Sequence, residues 1–544
     1  MTQHQSSDDS ARLELAWRLH RDADDLLELA LQERFNLSRV LEEMFQLLGT
    51  HLQASHAWVR TYDDRLVLSD FQWRRRASDA APTWTSMMLE ALVQLPGQVF
   101  RGVIDERPAV GLRLEVAGDD FGLVGVLWDE QPALLEGERE DDLAGLAEGW
   151  CEVLDNHLAA HAAARRKQMI LGELSASLRH PILSVGLQSS VEVLAAHIPL
   201  TGLALVYTPD GRRTSTDTRF VSFDGSGELR SEAGDDPLSR YLDGNGLEVL
   251  HGDIEDLKGL LGASREVDNI LVNGLTDATV VGRLVAAVKH DELSTYDHEL
   301  FERFADNLRQ RLVDFNREYQ NLSHFFSSDT VARLLSEANY EARLEPMEQS
   351  VAVVYTDIAG FTRLSEQILR EPRSIGKLVN IWGAGVVDIL WRHGGTFDKM
   401  VGECVIGLWG PPFFDVSPEE ACKAALEAAI DIERFTRDLY QHPALPELAE
   451  LEDELGVATG VNYCPMFVGR FGPDEDYTGF SSGMNNTARL LGVAERGEIL
   501  CMDAVVEALG ESGHFDFSEW REAQVKNVAE PLRFRVCSVR TESG

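Results

Sequence analysis

Between about Asn36 and Phe315 the chain passes twice through the same order of elements, and this order limits the folds open to it. The first pass is a helical stretch (LSRVLEEMFQLLGTHL), a strand-like HAWVRTYDD, a less regular region, a hairpin (VGLRLEVAGDDFGLVGVLWD) and a long helix from about Glu138 to Ala176. The second is SSVEVLAAHI, LTGLALVYTPDG, a loop-rich middle, DNILVNGLTDATVVGRLVAAVKHD and another long helix beginning near Tyr296. The copies lack the fixed short period of a solenoid. Each predicts one small α+β unit with an antiparallel sheet. A chain of 544 residues is too long for one core, so three or four domains are expected. Residues 1–35 are polar, helix-prone and without a chemical motif.

Each pass resembles a GAF domain, the α+β sensor module that precedes many signalling enzymes. The resemblance rests on pattern over roughly residues 36–315 and carries no ligand residue. Binding a small-molecule ligand and merely dimerising to transmit a signal are both open to such units.

On the third long helix Phe301, Ala305, Leu308, Leu312, Phe315, Tyr319, Leu322 and Phe326 are spaced alternately by four and three, a heptad seam. The seam predicts a parallel coiled coil and a homodimer. The alternative is a helix packing its stripe on its own α+β unit.

Charge narrows the partners. Against 50 Lys plus Arg stand 91 Asp plus Glu, a net charge of -41, which repels a phosphate backbone and excludes nucleic acid as a partner. A nucleotide accompanied by divalent cations remains compatible. Six cysteines show no C-x-x-C pair, no run approaches a membrane span, and the N-terminus lacks a secretory signal, so a cytoplasmic, soluble protein with no membrane partner is expected.

The chemistry concentrates near the C-terminus. SVAVVYTDIAGFTRLSE reads as a buried strand ending on Asp357, followed by the permissive Gly360 and a helix start (Phe361, Thr362) whose backbone N–H groups suit phosphate. GGTFDKMVGECVIGLWG reads as two strands joined by a tight turn at Gly402 and Glu403, placing Lys399 and Glu403 on one hairpin. By itself that pair reads equally well as a surface ion pair. In EDYTGFSSGMNNTARLLGVAE, Asn485 and Arg489 stand four apart on a helix and share a face. SPEEACKAALEAAIDIERF is a helix with a Ser417/Glu420 capping box and Pro418 at its first position, and His393 beside Gly394 is read as structural.

YTDIAGFT, DKMVGE, YTGFSSGMNNTARL and the closing VKNVAEPLRFRV together, in this order, resemble the class III nucleotide cyclases, the adenylate and guanylate cyclases, over about Met347 to Val536. The resemblance implies that Asp357, Ile358 and Glu403 hold two Mg²⁺ or Mn²⁺ ions per site. It implies that Asn485 orients the ribose and Arg489 stabilises charge on the α-phosphate. Gly360, Phe361, Thr362 and Lys526 would face the phosphates, while Lys399 and Thr478 would read the base. Lys399 can donate to N1 of adenine and Thr478 can accept from its 6-amino group, whereas guanine reverses both, so ATP is the expected substrate. Pyrimidine nucleotides stay open because Thr478 can also donate. In the family the sites are shared across a homodimer, with metal carboxylates from one protomer and Lys399, Thr478, Asn485 and Arg489 from the other.

Two departures stand out: Glu403 where relatives carry Asp, and SSG at 481–483 where they carry a Gly-Asp pair. They keep open a degenerate cyclase fold that serves only to bind or dimerise. The fold class expected is α+β multidomain: an N-terminal helical segment (1–35), GAF-like domains at 36–165 and 166–300, a coiled-coil and connector helix at 301–345, and a class III cyclase catalytic domain, a ferredoxin-like α/β sandwich, at 346–540. The expected activity is that of an adenylate cyclase regulated by its N-terminal domains.

Overall fold

A computed structural model describes residues 2–539 apart from 63–68, 76–83, 95–98, 117–118, 130–139, 199, 210–216, 226–228, 263–264, 274–278, 289–294, 452–454, 511–513 and 526–530. The chain divides into two compact units, Met1–Glu173 and Leu174–Gly544.

The first unit contains helices α1 (Thr2–Gln32), α2 (Leu37–His51), α3 (Trp84–Gln94) and most of α4 (Glu140–Leu178). Its strands are β1 (His56–Thr61), β2 (Ser69–Arg74), β3 (Val99–Ile104), β4 (Arg107–Val116) and β5 (Asp119–Leu127). They form an antiparallel sheet in the order β2-β1-β5-β4-β3. Asn36 caps α2 by accepting from the Arg39 N–H, and Val40, Leu41, Met44, Phe45 and Leu48 form its buried face. Alternation along β1 feeds two cores: Ala57 and Val59 pack with α1, α2 and α4, while Trp58 packs with Trp84, Met88 and Leu92 of α3.

The second unit opens with α5 (Leu183–His197), β6 (Leu200–Tyr207), β7 (Arg219–Phe223), β8 (Leu229–Arg230), α6 (Pro237–His251), α7 (Glu255–Leu260), β9 (Arg265–Asn273), β10 (Thr279–Val288) and α8 (Thr295–Leu322). This sheet runs β8-β7-β6-β10-β9. As in the first unit, the opening strand lies between the strand after it and the last strand, and the last pairs with the one before it. Val285 and Ala287 face α6 and α7. Leu284 and Ala286 are buried on the opposite face, toward α8.

Here the structure corrects the coiled-coil expectation. All eight residues of the heptad stripe, Phe301 to Phe326, are buried within the single chain. A methyl group on Gly282 of β10 would lie 3.0 Å from Leu312 Cδ1, so the helix packs directly on its own sheet. The last stripe residue, Phe326, lies beyond the end of α8 and stacks edge-on against Tyr477, ring centroids 5.0 Å apart. A stripe spaced by three and four suits any flat apolar partner, and an adjacent sheet offers one without a second chain.

The remaining elements are α9 (Ser328–Leu335), β11 (Met347–Ile358), α10 (Phe361–Arg363), α11 (Pro372–Arg392), β12 (Thr396–Val401), β13 (Cys404–Trp409), α12 (Pro418–Asp438), β14 (Val457–Phe471), β15 (Asp476–Phe480), α13 (Ser482–Leu490), β16 (Ile499–Met502), α14 (Asp503–Leu509), β17 (Phe515–Phe517), β18 (Arg521–Ala523) and β19 (Leu532–Val539). The sheet order is β12-β13-β11-β14-β16-β19-β17, with β15 on β14 and β18 on β19. Helices α11, α12 and α14 cover one face through Trp382, Val386, Ala425, Ala429 and Val505, against Ala352, Val354, Val405 and Val461 of the strands. The Ser417/Glu420 capping box with Pro418 is present at the start of α12. No helix among the described residues is long and apolar enough to cross a membrane.

Candidate active site

With even-numbered residues of β11 turned to the helices, Tyr355 and Asp357 fall on the opposite face. Asp357 pairs in register with Cys404, the first residue of β13. Gly402 and Glu403 form the two-residue turn between β12 and β13, Gly402 taking φ +65°, a conformation that favours glycine. The two carboxylates therefore converge on Cys404. Its thiol is pushed up to about 12 by burial and then by Asp357 and Glu403. Burial first, then the neighbouring Glu403, raises Asp357 to about 6, against an opposing hydrogen bond from the Ile358 N–H. Asp357 Oδ1 is buried and has no partner.

Two facing carboxylates, one with an orphaned oxygen and, among the described residues, no ion-paired cation, fit a divalent metal. Ile358 can contribute only its backbone carbonyl, because its side chain is buried in the helical core. Among the described residues no cluster of three or more His, Cys, Asp or Glu gathers into a cage. The set suits a hard cation that completes its shell with water and substrate phosphates.

Strand β12 carries a bulge. Phe397 pairs with Gly407 and Lys399 with Ile406, so Asp398 and Lys399 both oppose Ile406. Phe397 and Met400 both pack into the helical core, which leaves Asp398 and Lys399 side by side on the face of Asp357. Their side chains differ sharply in exposure. Asp398 is wholly buried and Lys399 is 41% exposed, with Lys399 Nζ 3.8 Å from Asp398 Oδ2 and 5.8 Å from the centre of the Phe480 ring. Thr478, opposite Gly469 on β15, is also buried. Burial raises Asp398 to about 6, opposed in decreasing order by the Thr478 hydroxyl, Lys399 and the Gly479 N–H. These neighbours are close enough to hold the carboxyl down, yet neither Asp398 oxygen nor Thr478 Oγ1 completes a hydrogen bond.

Helix α13 lies on the same face. Ser481, within the SSG departure, is its N-cap and accepts from the Met484 N–H. A Cβ on Gly483 would lie 2.5 Å from Cys464 Cβ and Sγ, and one on Gly460 2.9 Å from the Thr487 carbonyl, so both glycines permit close contact between helix and strand. Asn462 Nδ2 donates to the Gly483 carbonyl at 3.1 Å. This seats Asn485, exposed, and Arg489, half-buried, one turn apart on α13, where Arg489 Nη1 donates to Asn486 Oδ1 at 3.1 Å.

After β11, Gly360 takes φ +73°, and Phe361 and Thr362 begin a single α-turn that passes into a π-helical segment, Leu364–Leu369. The expected helix start at Phe361 is thus one α-helical turn long before the winding changes. Lys526 lies outside the described residues. His393 is structural: its Nε2 lies 2.9 Å from Asp431 Oδ2 and its carbonyl accepts from Trp409 Nε1 at 2.9 Å. A cavity of about 320 Å³ between α9 and the Gly410–Phe413 turn includes His393, but none of the site residues above line it. Sequence reasoning missed Asp398. The signal available was its position between Lys399 and the apolar Phe397, from which alternation puts Asp398 on the site face.

Residues 344–536 match the family model of the adenylate and guanylate cyclase catalytic domain. The chain therefore carries a catalytic domain of the adenylate and guanylate cyclase type. Among curated proteins it resembles the uncharacterized protein Rv1318c of Mycobacterium tuberculosis, 28% identical over 222 residues, which are 40% of this chain and 38% of that one. Rv1319c of the same organism is 25% identical over 230 residues, 41% of this chain and 40% of that one. The match thus spans about two fifths of the length of these relatives. Similar solved structures include the adenylyl cyclase CyaB from P. aeruginosa (28% identity, 37% of this chain, 100% of that chain, TM-score 0.32). Another is the guanylyl cyclase Cya2 (22% identity, 36% of this chain, 96% of that chain, TM-score 0.32).

Proposed function

We propose that this protein converts ATP to 3′,5′-cyclic AMP and pyrophosphate, in a homodimer with shared sites, under control of two N-terminal GAF-like units. The observation that carries the reaction is the convergence of Asp357 and Glu403 on an open sheet face that also bears Lys399, Asn485 and Arg489.

Asp357 and Glu403, with the Ile358 carbonyl, would hold two Mg²⁺ or Mn²⁺ ions. When bound, these supply Lewis-acid activation of the ribose 3′-hydroxyl and charge neutralisation on the departing pyrophosphate. Asn485 orients the ribose so that its 3′-oxygen faces the α-phosphorus. The 3′-hydroxyl gives its proton to solvent water as its oxygen bonds to the α-phosphorus and the bond to the bridging oxygen of the leaving pyrophosphate breaks, and Arg489 stabilises the charge gathering on the α-phosphate. The N–H groups of Gly360, Phe361 and Thr362 bind phosphate oxygens, joined by Lys526. Lys399 donates to N1 of the base and Thr478 accepts from its amino group.

Two contacts support a route for control. Phe325, just past α8, accepts at its carbonyl from the Phe397 N–H at 2.8 Å and from Trp391 Nε1 at 3.2 Å. Phe326 stacks on Tyr477. Movement of α8 would bear on residues adjoining Asp398 and Thr478.

The test is turnover by the purified full-length chain given ATP, GTP, CTP or UTP with Mg²⁺ or Mn²⁺, with product identified by mass spectrometry. Cyclic AMP as the main product is expected. No cyclic nucleotide from any of the four would overturn the reaction. One specific observation favours a second substrate reading: the Thr478 hydroxyl is unpaired and can also donate, which would admit a base bearing an oxo group there.

A further inference from the structure

The buried polar atoms beneath Lys399 include one residue, Asp398, that the cyclase reading does not use. Asp398 is 4% exposed and Thr478 6% exposed. Three oxygens, both of the Asp398 carboxylate and Thr478 Oγ1, lack partners in a region where an unpaired polar atom is costly. The β12 bulge leaves Asp398 and Lys399 on one face, where regular alternation would have put them on opposite faces. A carboxylate at that position has no apolar role. Its side chain lies beneath Lys399 and beside Thr478, so its effect is taken to pass through a neighbour. Lys399 is one neighbour, but its ammonium donates whatever lies nearby. The Thr478 hydroxyl is different, because its direction is free and a base can meet either its proton or its lone pairs.

We propose that Asp398 is a specificity-determining positioning residue: its buried carboxylate accepts the Thr478 hydroxyl proton, so the Thr478 oxygen turns lone pairs toward the base and selects an amino group over an oxo group. An ionised carboxylate can only accept, so the Thr478 proton has one place to go. Adenine and cytosine carry an amino group at the position read; guanine and uracil carry an oxo group. This rests on the reading that Thr478 faces the base, and it settles the ambiguity left by that hydroxyl in favour of ATP, with CTP as the second choice.

The experiment compares binding of 3′-deoxy-ATP with binding of the 3′-deoxy triphosphate of purine riboside, which keeps N1 but lacks the 6-amino group. Neither can cyclise, because the attacking hydroxyl is absent. Calorimetric titration of the full-length chain with Mn²⁺ at pH 8 gives the ratio of the two dissociation constants, which does not depend on the folded fraction of a preparation. The wild type is expected to prefer the amino nucleotide about 5- to 10-fold, the value of one hydrogen bond. Asp398→Leu, which keeps the branched shape and removes both acceptors, is expected to bring the ratio close to one. Asp398→Asn, with one acceptor oxygen, should fall between. Thr478→Val should abolish the preference, and adding Asp398→Leu to it should change the ratio no further.

A purely structural role for Asp398 would weaken both nucleotides equally and leave the ratio intact; that result, or a wild type without preference, overturns the assignment. A wild type that binds with the expected preference but releases no cyclic product from ATP overturns the proposed reaction and leaves Asp398 in place. A chain that binds neither nucleotide overturns both.

Discussion

The sheet of β6 to β10 and the sheet of β11 to β19 lie in the same compact unit and treat their two faces differently. In the former, alternate residues such as Leu284 and Val285 are both buried among apolar side chains, and the buried Arg283 donates to the Val249 carbonyl at 3.0 Å and the Gly252 carbonyl at 2.7 Å. In the latter, Val354 and Val405 serve a helical core, while Asp357, Asp398 and Thr478 on other positions keep buried oxygens with no partner. Polar groups buried without partners reduce stability, so where a sheet retains several on one face the compensation is expected from something that binds there. The former sheet keeps unpaired only the small hydroxyls of Thr201, on β6, and Thr208, just past it, among its described residues; the latter keeps buried carboxylate oxygens unpaired, and a missing partner costs more there.

The largest effect expected is at Arg489. Arg489→Ala should lower cyclisation by about 10²- to 10³-fold while the thermal unfolding midpoint stays near that of the wild type, as judged by circular dichroism. A large loss of stability instead would place Arg489 in the scaffold and break the contrast. Next comes Leu312 on the closed sheet, where Leu312→Ala should cost about 2–5 kcal/mol in denaturant unfolding. If α8 were a dimer seam, light scattering would show dissociation at an unchanged unfolding midpoint.

A pH series sharpens the other side. Asp398 is raised from 3.8 to about 6 in the folded chain by burial and Asp476, against Thr478, Lys399 and Gly479, and the Tyr355 hydroxyl also faces it. A carboxyl whose pKa rises on folding destabilises the fold once ionised. The cost is absent below about 3.8, grows as pH rises to about 6 and is constant above, on the order of 3 kcal/mol. Asp398→Asn should therefore unfold at a higher temperature than the wild type at pH 8, with the difference vanishing at pH 3.5. A constant difference across pH would assign the effect to packing.

Gly483→Ala should cost about 1–3 kcal/mol by pushing α13 off Cys464, and should lower kcat more than a stability loss of that size explains. The smallest effect is at the turn. Glu403→Asp shortens the carboxylate by one methylene and should shift the ratio of Mg²⁺- to Mn²⁺-supported turnover severalfold toward Mg²⁺, because Mg²⁺ tolerates less departure from octahedral geometry.

Much of the fold was legible. The twice-repeated order, the β12–β13 hairpin with its turn at Gly402 and Glu403, the capping box at Ser417 and the helix carrying Asn485 and Arg489 all follow from local rules of periodicity, capping and turn chemistry. The α8 stripe misled because heptad spacing reports an apolar stripe and not the identity of its partner. Asp398 went unseen for a related reason. Strict alternation counted from Lys399 assigns it the face opposite its true one; the bulge seats both residues on one face while Phe397 and Met400 pack into the helical core.

The amino-acid order by itself determined which elements form and which residue types stand at Asp357, Lys399, Glu403, Asn485 and Arg489, because those depend on neighbours a few positions away. Tertiary structure alone decided that α8 closes on its own sheet and that Asp357 and Glu403 meet at Cys404. It also decided that Asp398 lies buried beside Thr478. Each of these depends on contacts between residues distant in sequence, where packing selects among arrangements that local rules leave equal.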